Sequence, residues 1–253
     1  MGITSATQHK PAAASGASQA DAHGHGGTDR RVHLPVGTGR QRATTQGTDV
    51  QRDRILQAAA ELFAAQGYAN TTMAQIVRAL GVTKPFVYYY FRDKQEIFET
   101  LSWKPTVECL TSMDFPEDDT RCARDKVMDG LERLIRATIA NFPCAFFPYR
   151  EPQVYRPEYV AEQRRIAHHF YSRLVPLLEE ARRDGDLDFD DPKITALAAC
   201  SLPGFLYSWY KPDGRYSIDD LVAKLCVLTW RLIGLRQPAQ SLQGAEQQQE
   251  EGS

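Results

Sequence analysis

The 253-residue chain has no apolar run near the ~18 to 20 residues that cross a bilayer, and its first residues lack the basic start and apolar block of a secretion signal. Both absences predict a cytoplasmic protein without a membrane partner. Cysteine is scarce. Cys109, Cys122, Cys144, Cys200 and Cys226 are odd in number, widely spread, and never at the two-residue spacing of a zinc or thioredoxin-like pair. They are expected to be reduced core thiols. Alternating strand patterns and hairpin turns are missing, which argues against a mainly β or α/β fold. A phosphate loop, a nucleotide-binding glycine fingerprint and a nucleophile elbow are missing too, so no cofactor is expected.

Metal sites are equally poorly served. Asp184 to Asp191 alternates carboxylates as a calcium loop does, but Phe189 falls where such a loop needs its sharp-turn glycine, and no closing Glu follows. A solvated helix end is expected there. His23 and His25 lie in a polar tail, and His168 and His169, adjacent on one helix, face different ways.

What the chain does have is helical periodicity almost throughout, which predicts an all-α fold. Residues 1–47 are Ala, Gly, Ser, Thr, Gln and His with few large apolar side chains, and Lys10, Arg30, Arg31, Arg40 and Arg42 outnumber Asp21 and Asp29. This reads as a disordered basic arm, either a plain solvated tail or one that follows a DNA backbone. Residues 237–253, rich in Gln and Glu, read as a second disordered tail. The formal net charge of −2 is unpromising for a polyanion ligand until the location of the charge is considered.

From Asp49 the apolar positions Ile55, Ala58, Ala59, Leu62 and Phe63 share one helical face, and Gly67 follows where a left-handed stop belongs. Thr72 with Gln75 three residues later is a capping box, and Ile76, Val77 and Leu80 give a short second helix one buried face. Gly81 ends it. A third helix is expected from Lys84 through Phe91, with Pro85 tolerated because it lies in the first turn. Two short helices joined by a glycine turn make a helix-turn-helix, whose second helix enters the major groove. Val87 and Phe91 share the core face, while Tyr88, Tyr89 and Tyr90 point about 100 degrees apart, so at least one must face away from the core.

The run from Ile55 to Gly67, Thr72 with Ile76, Gly81-Val82-Thr83-Lys84-Pro85, Val87-Tyr88-Tyr89-Tyr90-Phe91 and Asp93-Lys94 resembles the signature of the tetracycline-repressor (TetR) family over about fifty residues. The resemblance implies a DNA-binding domain at 48–95 and a helical ligand-binding and dimerisation domain at 96–236. It places Thr72 at a phosphate-binding helix start, and Thr83, Lys84, Pro85, Phe86 and Tyr89 on the recognition helix. Tyr88, Tyr90 and Lys94 fall where family members hold the backbone. Position 85 is often Gly in the family, and small residues are usual at position 86. Phe86 therefore either meets a thymine methyl or packs inward.

Beyond Asp93 a helix through Ile97, Phe98, Leu101, Trp103 and Val107 is expected to kink or end at Pro105. Further helices are expected around Val127 to Ile139, at 161–182, from Pro192 to Trp209, and at 218–235. Asp191-Pro192 supplies an N-cap and N1 pair, and Ser217 with Asp220 a capping-box variant. The last two are rich in apolar and small residues, including Ile194, Leu197, Phe205, Leu221, Leu225 and Leu228, and by resemblance they form a homodimer interface. Phe142, Phe146, Phe147 and Tyr149, with Phe170, Tyr171, Phe205 and Trp209 further on, either line an apolar ligand pocket or form ordinary core. The segment Trp209 to Ile218 is similar to TetR regulators of fatty-acid, steroid and aromatic catabolism, which implies a small hydrophobic or CoA-linked effector.

The function so expected is repression at a palindromic, double-stranded operator, released by that effector and involving no catalysis. Two other classes fit an all-helical chain. A helical enzyme would turn its bound molecule over, and a partner-binding module would ignore operator DNA.

Overall fold

A computed structural model describes residues 45–236, and every regular element among them is helical. The expected arm and tail lie outside the described residues, apart from the three at the arm's end that open the first helix. α1 (Thr45–Asn70) buries Ile55, Ala59 and Phe63 at four-residue spacing. At Gly67 the expected left-handed stop is instead a sharp break, with φ 80° and ψ 166°, a region open essentially to glycine alone. One further turn follows it. The Lys94 ammonium then fastens that turn by donating to the carbonyls of Tyr68 and Thr71, both at 2.7 Å.

α2 (Met73–Leu80) opens with the capping box expected of Thr72 and Gln75: the Thr72 hydroxyl accepts from Gln75 N at 3.2 Å, and Gln75 Oε1 accepts from Thr72 N at 2.7 Å. It closes at Gly81, left-handed at φ 66° and ψ 29°. That geometry turns the chain sharply into α3 (Lys84–Tyr90), whose core anchor is Val87. Ile55, Phe63, Ile76, Val87, Phe91 and Phe98 form the shared core of this N-terminal unit.

α4 (Lys94–Leu110) carries Pro105 within it and does not stop there. The proline removes one backbone donor. The hydroxyls of Ser102 and Thr106 bond back to the carbonyls of Phe98 and Ser102 at 2.9 and 2.8 Å, as buried helical Ser and Thr commonly do. α4 gives Ile97 and Phe98 to the N-terminal core, and its later turns pack on α5 (Ala123–Ala140). α5 is the central helix of the second half and touches α4, α7 (Pro157–Arg183), α8 (Pro192–Gly204) and α9 (Ile218–Leu232). Neighbours on so many sides explain why Val127, Leu131, Leu134, Ile135 and Ile139 are all buried. A four-residue helix, α6 (Phe147–Arg150), lies in the connection between α5 and α7.

The caps on the last two helices form as the sequence predicts. Asp191 Oδ1 accepts from Lys193 N and Ile194 N at 2.8 Å each, and Ser217 Oγ accepts from Asp220 N at 3.1 Å. α8 is shorter than expected. Pro203, near its end, cannot donate the next helical bond, and the chain tightens into a 3-10 turn over Phe205–Ser208. All five cysteines are free thiols; Cys226 is buried, whereas Cys122, expected in the core, is exposed at the start of α5. No helix among the described residues is long and apolar enough to cross a membrane.

Candidate nucleic-acid interface and ligand cavity

The three tyrosines of α3 diverge as helical geometry requires. Tyr89 is 77% exposed and Tyr88 41%, whereas Tyr90 is half-buried, its ring 5.0 Å from that of Tyr89. Val87, on the opposite side, is fully buried. Thr83, Lys84 and Pro85 are exposed at the start of the helix, and the Lys84 ammonium lies 5.5 Å from the Tyr88 ring centroid. Phe86 is half-buried: its ring lies 5.3 Å from that of Tyr90 and packs on the N-terminal core, so it turns largely inward. Thr72 is exposed beside this surface.

Lys94 is placed differently from its neighbours in the motif. Its ammonium points inward onto two carbonyls and lies 3.9 Å from the Tyr68 ring centroid, and burial lowers its pKa. Exposed Arg54 and Arg78, which the sequence reading did not single out, add positive charge to the N-terminal unit. Arg78 lies about 200 degrees round α2 from buried Ile76, which was its signal; Arg54, next to Ile55, carried none.

The second half encloses a cavity of about 600 Å³ walled by α4, α5, α6, α7, α8 and the 3-10 turns Cys144–Phe146 and Phe205–Ser208. Of the eight aromatic residues proposed from sequence, Tyr149, Phe170, Tyr171 and Phe205 line it. Phe142, Phe146, Phe147 and Trp209 do not. Phe142 sits edge-on to Tyr210 at 5.1 Å, Phe146 is buried in the core of α5 and α9, and Trp209 is 52% exposed. Phe147 belongs to the N-terminal core, stacked on Phe98 at 4.7 Å and edge-on to Phe63 at 6.2 Å.

Sequence reasoning missed the polar lining of the cavity: Thr106, Cys109, Thr138, Gln163, Arg164 and Cys200. On α7 a signal existed, since Gln163, Ala167, Phe170 and Leu174 share one helical face. Burial pushes the Cys109 thiol up to about 11 and the Cys200 thiol up to about 12, so both stay protonated at neutral pH. Desolvation at the cavity wall also raises the Tyr149 hydroxyl, although the residue as a whole is largely exposed.

α6 joins the two regions. Phe147 is buried against Phe98, while the next two residues, Pro148 and Tyr149, line the cavity. Tyr149 and Tyr207 stack at 6.3 Å and separate this cavity from a second one, of about 480 Å³, beside Phe63, Gly67 and Phe98. A second link is Arg156, just before α7. Its guanidinium reaches Asp93 at 2.8 and 2.9 Å and also pairs with Glu99, both on or beside the start of α4.

A glycine-turned pair of short helices with an exposed aromatic and basic face, joined to a helical domain around a cavity, defines a helix-turn-helix protein with an appended sensor-like domain. Residues 55–101 match the family model of bacterial regulatory proteins of the tetR family, and residues 120–233 match that of the tetracyclin repressor-like C-terminal domain. The chain belongs to the TetR family of transcriptional regulators. It is 25% identical to the HTH-type transcriptional repressor BepR of Brucella suis over 204 residues, 74% of this chain and 93% of that protein. It is 29% identical to the regulator AcrR of Shigella flexneri over 100 residues, 37% of this chain and less than half, 46%, of that relative. A crystal structure of AibR in complex with isovaleryl coenzyme A and operator DNA shares the fold, at a TM-score of 0.60 and 18% identity, covering 74% of this chain and all of that one.

Proposed function

We propose that this protein is a one-component transcriptional repressor whose dimer holds a palindromic operator and leaves it when a small molecule fills the cavity. The observation that carries the reading is the division of α3 into a buried Val87 side and a solvent side bearing Lys84, Tyr88 and Tyr89. Among the described residues that outer face is open to solvent. The hydroxyls of Tyr88 and Tyr89, the Lys84 ammonium and the Thr83 hydroxyl are donors suited to phosphates and base edges. In this reading residues 48–95 read DNA, Thr72 and Pro85 lie against the backbone, Phe86 and Tyr90 stiffen the helix from inside, and Lys94 positions it by pinning the end of α1.

Exposed apolar side chains support the dimer. Ile194, Leu197 and Phe205 on α8 and its following turn, with Val227, Leu228 and Leu232 on α9, are each more than a third exposed. So many exposed apolar side chains on two packed helices are rarely left to water. A two-fold copy covers it and sets two recognition helices about 34 Å apart, one turn of duplex. The effector occupies the cavity of residues 96–236, and the mainly apolar lining favours a hydrophobic small molecule or the acyl part of a CoA thioester. The AibR complex gives a precedent for the latter in the same fold. Its entry displaces Pro148 and Tyr149, and α6 carries the movement through Phe147 to Phe98 and Phe63 under the DNA-reading unit. That shifts the balance between two dimer geometries, of which only one fits the grooves.

The test is a mobility-shift titration with duplex from the region flanking the protein's own gene. The wild type is expected to retard it, with affinity falling steeply as salt rises. Tyr89→Ala and Lys84→Ala should each weaken binding while leaving the dimer intact. Unchanged affinity in both variants would remove α3 from the interface.

A further inference from the structure

The cavity has a charge asymmetry beyond its apolar character. Among the described residues no Asp or Glu lines it, and the two thiols within it are protonated at neutral pH. The one charged lining residue among the described residues is Arg164, on the α7 wall beside Gln163. Adjacent residues on a helix diverge by about 100 degrees, so both line the same space only where the cavity wall curves around the helix edge. Arg164 is exposed and Gln163 half-buried, so the pair stands at the mouth, with Ala167 and Phe170 continuing inward along the same face.

Neither side chain forms a hydrogen bond or ion pair among the described residues. Nearby acid is already engaged: Glu162 is held by Arg165 at 2.7 and 2.9 Å. A guanidinium with five donors and an amide with two are therefore unused at the rim of an apolar chamber. Resting on the effector-cavity reading above, we propose that the natural effector is an amphipathic organic acid carrying one carboxylate. The anion is held at the mouth by Arg164 and Gln163, and the apolar body lies against Phe170, Tyr171, Leu110 and Leu134. A carboxylate accepts two parallel bonds from a guanidinium fork, which no alcohol can do, while an ammonium is repelled. A CoA thioester would bring several phosphate charges to a rim that offers one cation.

Four probes of equal chain length separate the possibilities: decanoate, decan-1-ol, decylamine and decanoyl-CoA, each titrated calorimetrically into the full-length protein. Decanoate is expected to bind on the order of tenfold more tightly than the alcohol and more tightly still than the amine, as a charge-assisted bidentate contact implies. The thioester should gain nothing over decanoate. Arg164→Gln should erase the preference for decanoate over the alcohol without changing affinity for the alcohol, and Arg164→Lys should restore part of it. Arg164 is exposed, so these variants are expected to fold, and operator retardation without ligand serves as the control. Equal affinities for acid, alcohol and amine, an unaltered preference in Arg164→Gln, or markedly tighter binding of the thioester would overturn the anion site while leaving the effector cavity standing. Failure of all four to bind would overturn both.

Discussion

Replacing Arg156 with Met removes the polar clasp between the start of α7 and the start of α4, and its cost can be worked from the geometry. The Glu99 side chain is only 11% exposed. Its Oε1 accepts from the Arg156 backbone N–H at 2.7 Å and its Oε2 from the guanidinium. The substitution leaves the backbone bond and deletes the charge partner. Stranding a buried carboxylate costs roughly 3–5 kcal/mol when nothing else compensates. With one bond retained and the clasp partly wet, about 2–3 kcal/mol is expected. The arm to Asp93, whose side chain is 45% exposed, contributes under about 1 kcal/mol. In urea unfolding followed by far-UV circular dichroism, this should lower the midpoint by on the order of 1 M. Arg156→Met combined with Glu99→Gln should recover most of the loss, because the stranded charge is gone, and the cycle should show coupling of about 2 kcal/mol. If the double variant is no more stable than Arg156→Met alone, the stranded carboxylate is not the source of the loss and the clasp has been misjudged.

Leu197→Glu or Leu228→Glu, each placing a charge on the exposed apolar stripe, should yield a monomer by analytical ultracentrifugation and abolish operator retardation; a surviving dimer would move the interface elsewhere. Phe147→Ala, which empties a site only 2% exposed, should cost about 3–5 kcal/mol in urea unfolding, whereas Phe147→Leu should keep most of the stability but lose response to effector. Asp93 is held below the usual carboxylate range: burial alone would raise its pKa, but the bond from Glu96 N and the Arg156 guanidinium outweigh that. Its folded pKa is thus below the unfolded value, so its stabilisation is complete above about pH 4 and disappears as pH falls through the lower folded value. The stability gap between wild type and Asp93→Asn should accordingly be flat from pH 7 to about pH 5 and shrink in more acidic buffer; a gap that widens there would contradict the assignment. Iodoacetamide at pH 8 should label exposed Cys122 well before Cys109 or Cys200, as mass spectrometry of the peptides would show.

Much of the N-terminal unit was legible because its signals are local. A threonine and a glutamine three apart, a glycine that must turn left-handed, and a proline in a first turn each act within one turn of chain, and each stands where the sequence implied. Gly67 shows the limit, since its identity announces an unusual conformation without saying which one. The cavity was less legible because its walls come from seven segments, Ala145 of the 3-10 turn Cys144–Phe146 among them. Phe146 and Phe147 are neighbours in sequence, yet one enters the core around α5 and α9 and the other crosses to the core beneath the recognition helix. Periodicity cannot assign such a pair, because α6 is one turn long and bears a proline. α4 serves both regions: its first turns belong to one core, and Pro105, Thr106 and Cys109 to the cavity. The helix runs through Pro105 with one backbone bond lost, while Trp103 and Thr106 on either side of it stay buried.

Hydroxyl-radical footprinting of the protein on duplex from beside its own gene reads the main claim at single-base resolution. Two symmetric protected half-sites with centres about 10 base pairs, or a small multiple of that turn, apart are expected; both should vanish together when Tyr89 is replaced by Ala. A single asymmetric footprint, or protection that survives the loss of Tyr89, would contradict a paired α3 seated in the major groove.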